Sequence, residues 1–129
     1  MENSELRMEK GVLMSGVGEA DWVEGLPVAV TVTDAEGRIV EMNARSRETF
    51  AADGGGALVG QSVFDCHPEP AATRTRELFD GVRANHYTIT KNGQRKIIHQ
   101  MPWFEGDRFA GFVEIAIPIP DVLPHFNRD

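Results

Sequence analysis

The chain has 129 residues, 13 of them basic and 20 acidic, for a formal net charge of −7. That is one domain's worth of polypeptide, able to bury roughly two thirds of its unfolded surface in a single core. The sign of the charge argues against direct DNA binding, which needs a surface that displaces counterions from phosphates. With one cysteine, Cys66, no intramolecular disulfide can form. No apolar run of about 18 residues and no signal-peptide pattern is present, so a reducing, cytoplasmic setting off the membrane is the expectation.

Residues 1–19 read as an extension. Leu6, Leu13, Met14 and Val17 suit an amphipathic helix, whereas Gly11, Gly16 and Gly18 favour a mobile tail, since each glycine costs a helix interior about 1 kcal/mol. Asp21 to Gly25 offers one helical turn carrying Trp22. In the next run Val28, Val30 and Val32 alternate with Ala29, Thr31 and Thr33, the period of a strand with one buried face. Asp34-Ala35-Glu36-Gly37 supplies turn chemistry, Arg38 to Met42 a second strand, and Asn43 a helix cap. Residues 51–60, AADGGGALVG, are too rich in glycine for a long helix and predict a loop beside a short helical turn.

Glu69-Pro70 opens a further helix in which Ala71, Thr75, Leu78, Phe79 and Val82 form one stripe. His86 to Lys91, Asn92-Gly93 and Gln94 to Phe104 give the strongest hairpin signal, because Asn-Gly accepts the two positive φ values of a type I′ turn. After a turn at Glu105-Gly106-Asp107, Phe109 to Ile117 is the last strand, and Pro118, Pro120 and Pro124 forbid its extension. Two strands, a helical middle and three strands predict an α+β antiparallel sheet with helices on one face.

The order Leu26-Pro27, Asp34, Gly37, Asn43 resembles the opening of the PAS family of sensory domains, and Gly60-Gln61-Ser62-Val63-Phe64 is similar to a later loop of that family. The resemblance spans residues 20–118 and leaves 119–129 as a tail. It implies a five-stranded sheet of order 2-1-5-4-3 with a cavity between sheet and helices. Asp65-Cys66-His67-Pro68 resembles a subgroup with a Cys-His-Pro segment, some of whose members sit beside metal-binding helical domains. The last strand departs from the family: in place of an Asp-Ile-Thr signature leading to a coiled-coil helix it runs into Ile117-Pro118-Ile119-Pro120. Any output would then pass through a partner protein, the first 25 residues or the tail.

The candidate pocket residues are Asn43, Cys66, His67, Tyr87, His99, Met101 and Trp103. For His67 the readings are a structural hydrogen bond, contact with an organic ligand, or haem ligation; Cys66 reads chiefly as a small core residue. On the long strand Ile97, His99, Met101 and Trp103 share one face and Ile98, Gln100 and Pro102 the other. If the first looks toward the helices, His99 is a polar group in an apolar wall that needs a partner; otherwise it meets water. Tyr87 and Trp103 combine apolar bodies with polar tips.

There is no phosphate-binding glycine loop, no nucleophile elbow and no paired cysteines. The remaining histidines show no metal-type spacing, and Cys66 does not match the flavin-linked segment of light-sensing relatives. Residues 70 to 84, where haem-binding relatives commonly carry a histidine, contain none. The expectation is a non-enzymatic sensor with no resident metal, binding an unidentified small molecule and signalling as a homodimer or through a separate protein, in signal transduction or transcription regulation. Leu6, Leu13 and Val17 are the candidate dimer contacts. The alternatives are a ligand-free dimerisation module and a haem sensor ligated by His67.

Overall fold

The computed structural model describes residues 21–129, together with the backbone alone at Cys66. A single turn, α1 (Asp21–Glu24), precedes β1 (Ala29–Thr33) and β2 (Ile39–Met42); α2 (Ala44–Thr49) follows. Two 3₁₀ turns, Ala51–Asp53 and Gly55–Leu58, lead to α3 (Val63–Cys66) and α4 (Ala71–Gly81). The chain ends in β3 (Asn85–Lys91), β4 (Gln94–Glu105) and β5 (Arg108–Pro118). All pairings are antiparallel, in the order β2-β1-β5-β4-β3. The α+β class and the strand order expected from the resemblance are therefore present.

Local chemistry explains most boundaries. Asp34 Oδ1 accepts from the Glu36 and Arg38 amides at 3.0 and 2.9 Å, folding the turn between β1 and β2. Asn92 and Gly93 take φ values of 52° and 78° between the paired Lys91 and Gln94, as a type I′ hairpin requires. Glu69 caps α4 from the preceding turn, its Oε1 accepting from the Thr73 amide and hydroxyl. Here the structure trims the expected stripe: Val82 is not the last helical residue but a left-handed cap (φ 49°) whose amide reaches the Leu78 and Phe79 carbonyls. The glycine-rich 51–60 stretch becomes the paired 3₁₀ turns, and Leu58 packs against the core.

That core is small: Ile39, Met42 and Val63 at its centre, with Phe50, Leu58, Phe64 and Phe79 against it. Phe79 of α4 stacks on Phe112 of β5 at 4.6 Å between centroids and meets Phe64 edge-on at 5.0 Å. In β1 the valines do not face the helices. Thr31 and Thr33 do, while Val30 and Val32 line a second hollow of about 320 Å³ with Trp22 and Val23 on the opposite side. Small side chains on the inward face leave room between the layers.

Where the strands are tied hardest, glycine is obligatory. At Gly111 (φ 147°) a Cβ would fall 2.0 Å from the Thr33 carbonyl oxygen. Trp103, the β4 residue opposite Gly111, sends its indole N–H across β5 to that same oxygen at 3.0 Å. Thr33 in turn accepts from the Phe112 amide and donates to the Asp34 carbonyl.

Candidate functional site

Between the sheet and the helices lies a cavity of about 720 Å³. Ile39 and Met42 of β2, Leu78 and Phe79 of α4, and Phe112 of β5 supply apolar walls; Asp53, Gln61, Asp65 and His67, all exposed, mark the mouth. Size and lining suit a small organic molecule rather than bulk solvent alone.

The floor is built by register. Met42, Thr31, Glu114, Gln100 and Asn85 stand directly opposite one another in sequence across all five strands, so their side chains share the inward face. Asn85 Nδ2 donates to Gln100 Oε1 at 2.9 Å, and Gln100 Nε2 donates to Glu114 Oε2 at 2.9 Å. At the other end Thr31 Oγ1 lies 2.6 Å from Ser46 Oγ of α2, a fully buried hydroxyl. A polar row thus crosses the bottom of an otherwise apolar chamber, with Glu114 half-buried at its middle.

His67 stands on the mouth of the same cavity, just past α3. Its Nδ1 is 2.6 Å from the Val63 carbonyl oxygen. A carbonyl can only accept, so Nδ1 carries the proton and, in the neutral ring, Nε2 keeps a lone pair. Pro68, also lining the cavity, holds the backbone at His67 extended.

The structure does not bring Asn43, His99, Met101 or Trp103 to this place. His99 and Met101 lie on the outward face, in the rows of Ile115 and Val113 that run opposite Val30 and Val32. There His99 Nδ1 is 2.8 Å from His86 Nδ1, one ring donating and the other accepting. Trp103 spends its N–H on Thr33, as described above. Asn43 is 3 % exposed and saturated: Oδ1 accepts from Val30 N and Ser46 N, and Nδ2 donates to the Val23 and Val28 carbonyls, each at 2.8–3.0 Å. It binds the domain to itself and has no capacity left for a guest.

Tyr87 lies on the inward face of β3, opposite Ile98 and beside the row, and is 41 % exposed. Burial pushes its phenol above the usual value, the charge of Glu114 pushes the same way, and Arg74 of α4 opposes both. Leu6, Leu13 and Val17 fall outside the described residues, and the side chain of Cys66 likewise.

Gln100 and Glu114 are the residues that reading the sequence missed. Alternation told which β4 residues share a face but not which face turns inward; the parity of Phe112 and Glu114, tied to Thr31 through the β1–β5 pairing, is the signal that decides it. Among the described residues no three His, Cys, Asp or Glu side chains gather to hold a metal ion, and no helix is long and apolar enough to cross a membrane.

A family model described as the PAS fold matches residues 23–114. Several solved structures are similar. The PAS domain of BvgS from Bordetella pertussis is 21% identical, with a TM-score of 0.57 over 92% of this chain and 89% of that one. The Aer2 receptor of Vibrio cholerae, a dual PAS-heme oxygen sensor, is 15% identical, with a TM-score of 0.55 over 76% and 99% of the two chains. A C-terminal domain from Streptococcus mutans is 16% identical, with a TM-score of 0.63 over 74% and 78%. At such identities the likeness is one of fold. No curated protein matches the chain.

Proposed function

Because the chain belongs to the PAS family, we propose that it is a non-enzymatic sensor domain that holds a small organic molecule between sheet and helices and reports it through contacts with a second copy or a separate signalling protein. The observation that carries this reading is the 720 Å³ chamber with apolar walls and a hydrogen-bonded polar row along its floor. A domain this size could have packed that face with valine. Instead β1 turns its valines outward and its threonines in, which favours an occupied cavity over a filled core. Differential affinity of a few kcal/mol for one of two packings suffices to shift a population. The report would leave through residues 1–20, including Leu6, Leu13 and Val17, or through the segment after β5, where Val122, Leu123 and Phe126 are each at least 70 % exposed.

Native mass spectrometry of protein purified from its source, followed by thermal melts against metabolite panels, tests this. A retained compound is expected, and a ligand at a hundredfold its Kd adds about 2.7 kcal/mol, a rise of several degrees. Leu78→Trp, which fills the chamber from α4, should abolish the rise while the protein stays folded. No retained compound and no stabilising ligand would end the sensing reading. A Soret band that disappears in His67→Ala would identify the guest as haem.

A further inference from the structure

The chamber is asymmetric in charge. No lysine or arginine lines it, whereas Asp53, Asp65 and Glu114 do. Arg74 is near enough to Tyr87 to act on its phenol, but it is exposed and not part of the lining. The amides of Gln61 and Gln100 and the Thr31–Ser46 hydroxyl pair keep N–H or O–H donors, but these are neutral, and the carboxylates are the charged acceptors of the lining. Gln100 occupies Glu114 Oε2, and Oε1 accepts no hydrogen bond from a described residue. His67 has its proton committed to the Val63 carbonyl, leaving Nε2 as a lone pair. The nearby hydroxyls of Thr33 and Thr75 are already donating, to the Asp34 and Ala71 carbonyls. Phe112, two residues before Glu114 on the same face, and Phe79 against it put aromatic surface in the same cavity as the carboxylate.

We propose that the cavity selects organic ammonium compounds, molecules with an apolar or aromatic body and one protonated amine, the amine donating to Glu114 Oε1 and the body lying against Phe79 and Phe112. This rests on the ligand-binding reading above and adds the charge of the ligand. A carboxylate guest would bring negative charge beside Glu114 with no lining cation to answer it. An ammonium group makes a charge-assisted hydrogen bond in a half-desolvated site and gains from the neighbouring rings. The exposed Asp53 and Asp65 contribute less, being screened by solvent, but they bias the mouth toward cations.

Three probes of similar shape separate charge from fit: 2-phenylethylamine, 2-phenylethanol and phenylacetate, titrated calorimetrically into the full chain at neutral pH. The amine should bind about tenfold more tightly than the alcohol, the worth of adding a positive charge to a donor at the same carboxylate, and the acid most weakly. Added salt should weaken the amine alone, and Glu114→Gln should bring amine and alcohol together by weakening the amine far more than the alcohol. Equal binding of all three probes, or preference for phenylacetate, overturns the charge assignment and leaves the cavity reading standing. An amine preference that survives in Glu114→Gln also overturns it. Should that variant not fold, the wild-type ranking and its salt dependence still decide. If none of the three binds and Leu78→Trp alters no property of the native protein, the cavity reading falls and this inference with it.

Discussion

The two sides of β1 put polar atoms to opposite uses. On the outward side and at the inward-facing end of the strand, Asn43, Trp103 and Thr33 are matched donor for acceptor: Asn43 makes four side-chain hydrogen bonds, and the Thr33 hydroxyl both gives and receives. On the inward side Gln100 bonds Glu114 and Thr31 bonds Ser46, but nothing joins the two halves, and acceptor valence is left at Glu114 and, in its neutral ring, at His67 above it. Burial alone does not say what a region is for. Saturation does: where every group is answered within the chain, the residues fix the fold, and where one is not, a guest can supply the answer.

That contrast can be broken most severely at Gly111. Gly111→Ala drives a methyl into the Thr33 carbonyl, and the strain should cost about 3 kcal/mol or more in urea unfolding; a wild-type midpoint would show that the close approach is not native. Asn43→Ala comes next, losing a cap and orphaning the Val30 amide and two carbonyls, with an expected loss of about 2 kcal/mol. Asn43→Asp, which keeps the two bonds to Oδ1 but sets a carboxylate oxygen against the Val23 and Val28 carbonyls in a buried site, should cost at least as much. On the unfinished side, Gln100→Leu should cost no more than about 1 kcal/mol, since its partners are half-buried, while ligand affinity changes. Equal stability losses at Asn43 and Gln100 would erase the distinction.

Two titrations sharpen it further. Tyr87 is the one tyrosine in the chain, so near-ultraviolet absorbance reads it alone. Its folded pKa is raised by burial and by Glu114, so its contribution to stability is whole below the ordinary value of about 10 and is lost as pH rises through the folded value. Glu114→Gln should bring the midpoint down; an unchanged midpoint would separate the two side chains. The smallest effect belongs to the exposed Glu24–Arg47 pair, in which the Arg47 hydrogen bond holds the Glu24 carboxyl below its usual range. Its stabilisation is present above the ordinary carboxylate value and disappears as pH falls through the lowered one. Solvent screening limits it to a few tenths of a kcal/mol, so Glu24→Gln should lower the urea midpoint only slightly at neutral pH and not at all in acid.

What could be seen in the residues alone was whatever chemistry is local. Asn92-Gly93 forces its hairpin, Asp34 and Gly37 force theirs, and Asn43 sits on the first helix as its cap. The strand order came through the family resemblance, because short strands of similar composition carry no label for their neighbours. The floor of the cavity stayed hidden for a different reason. Ile97 and Ile98 are equally apolar, so periodicity leaves the inward face of β4 undecided, and only long-range pairing with β5 and β1 puts Gln100 inside and His99 out. Val82 escaped because its hydrophobicity fits the α4 stripe, while its left-handed backbone depends on how the chain must leave the helix to begin β3.

Two fasteners of different chemistry join α1 to α2: the Asn43 amide on the Val23 carbonyl, and the Arg47 guanidinium on Glu24 with a further hold on the Met42 carbonyl. Since α2 also carries Ser46, which grips Thr31 at the cavity floor, the turn that leads into β1 and that floor are tied through one short helix.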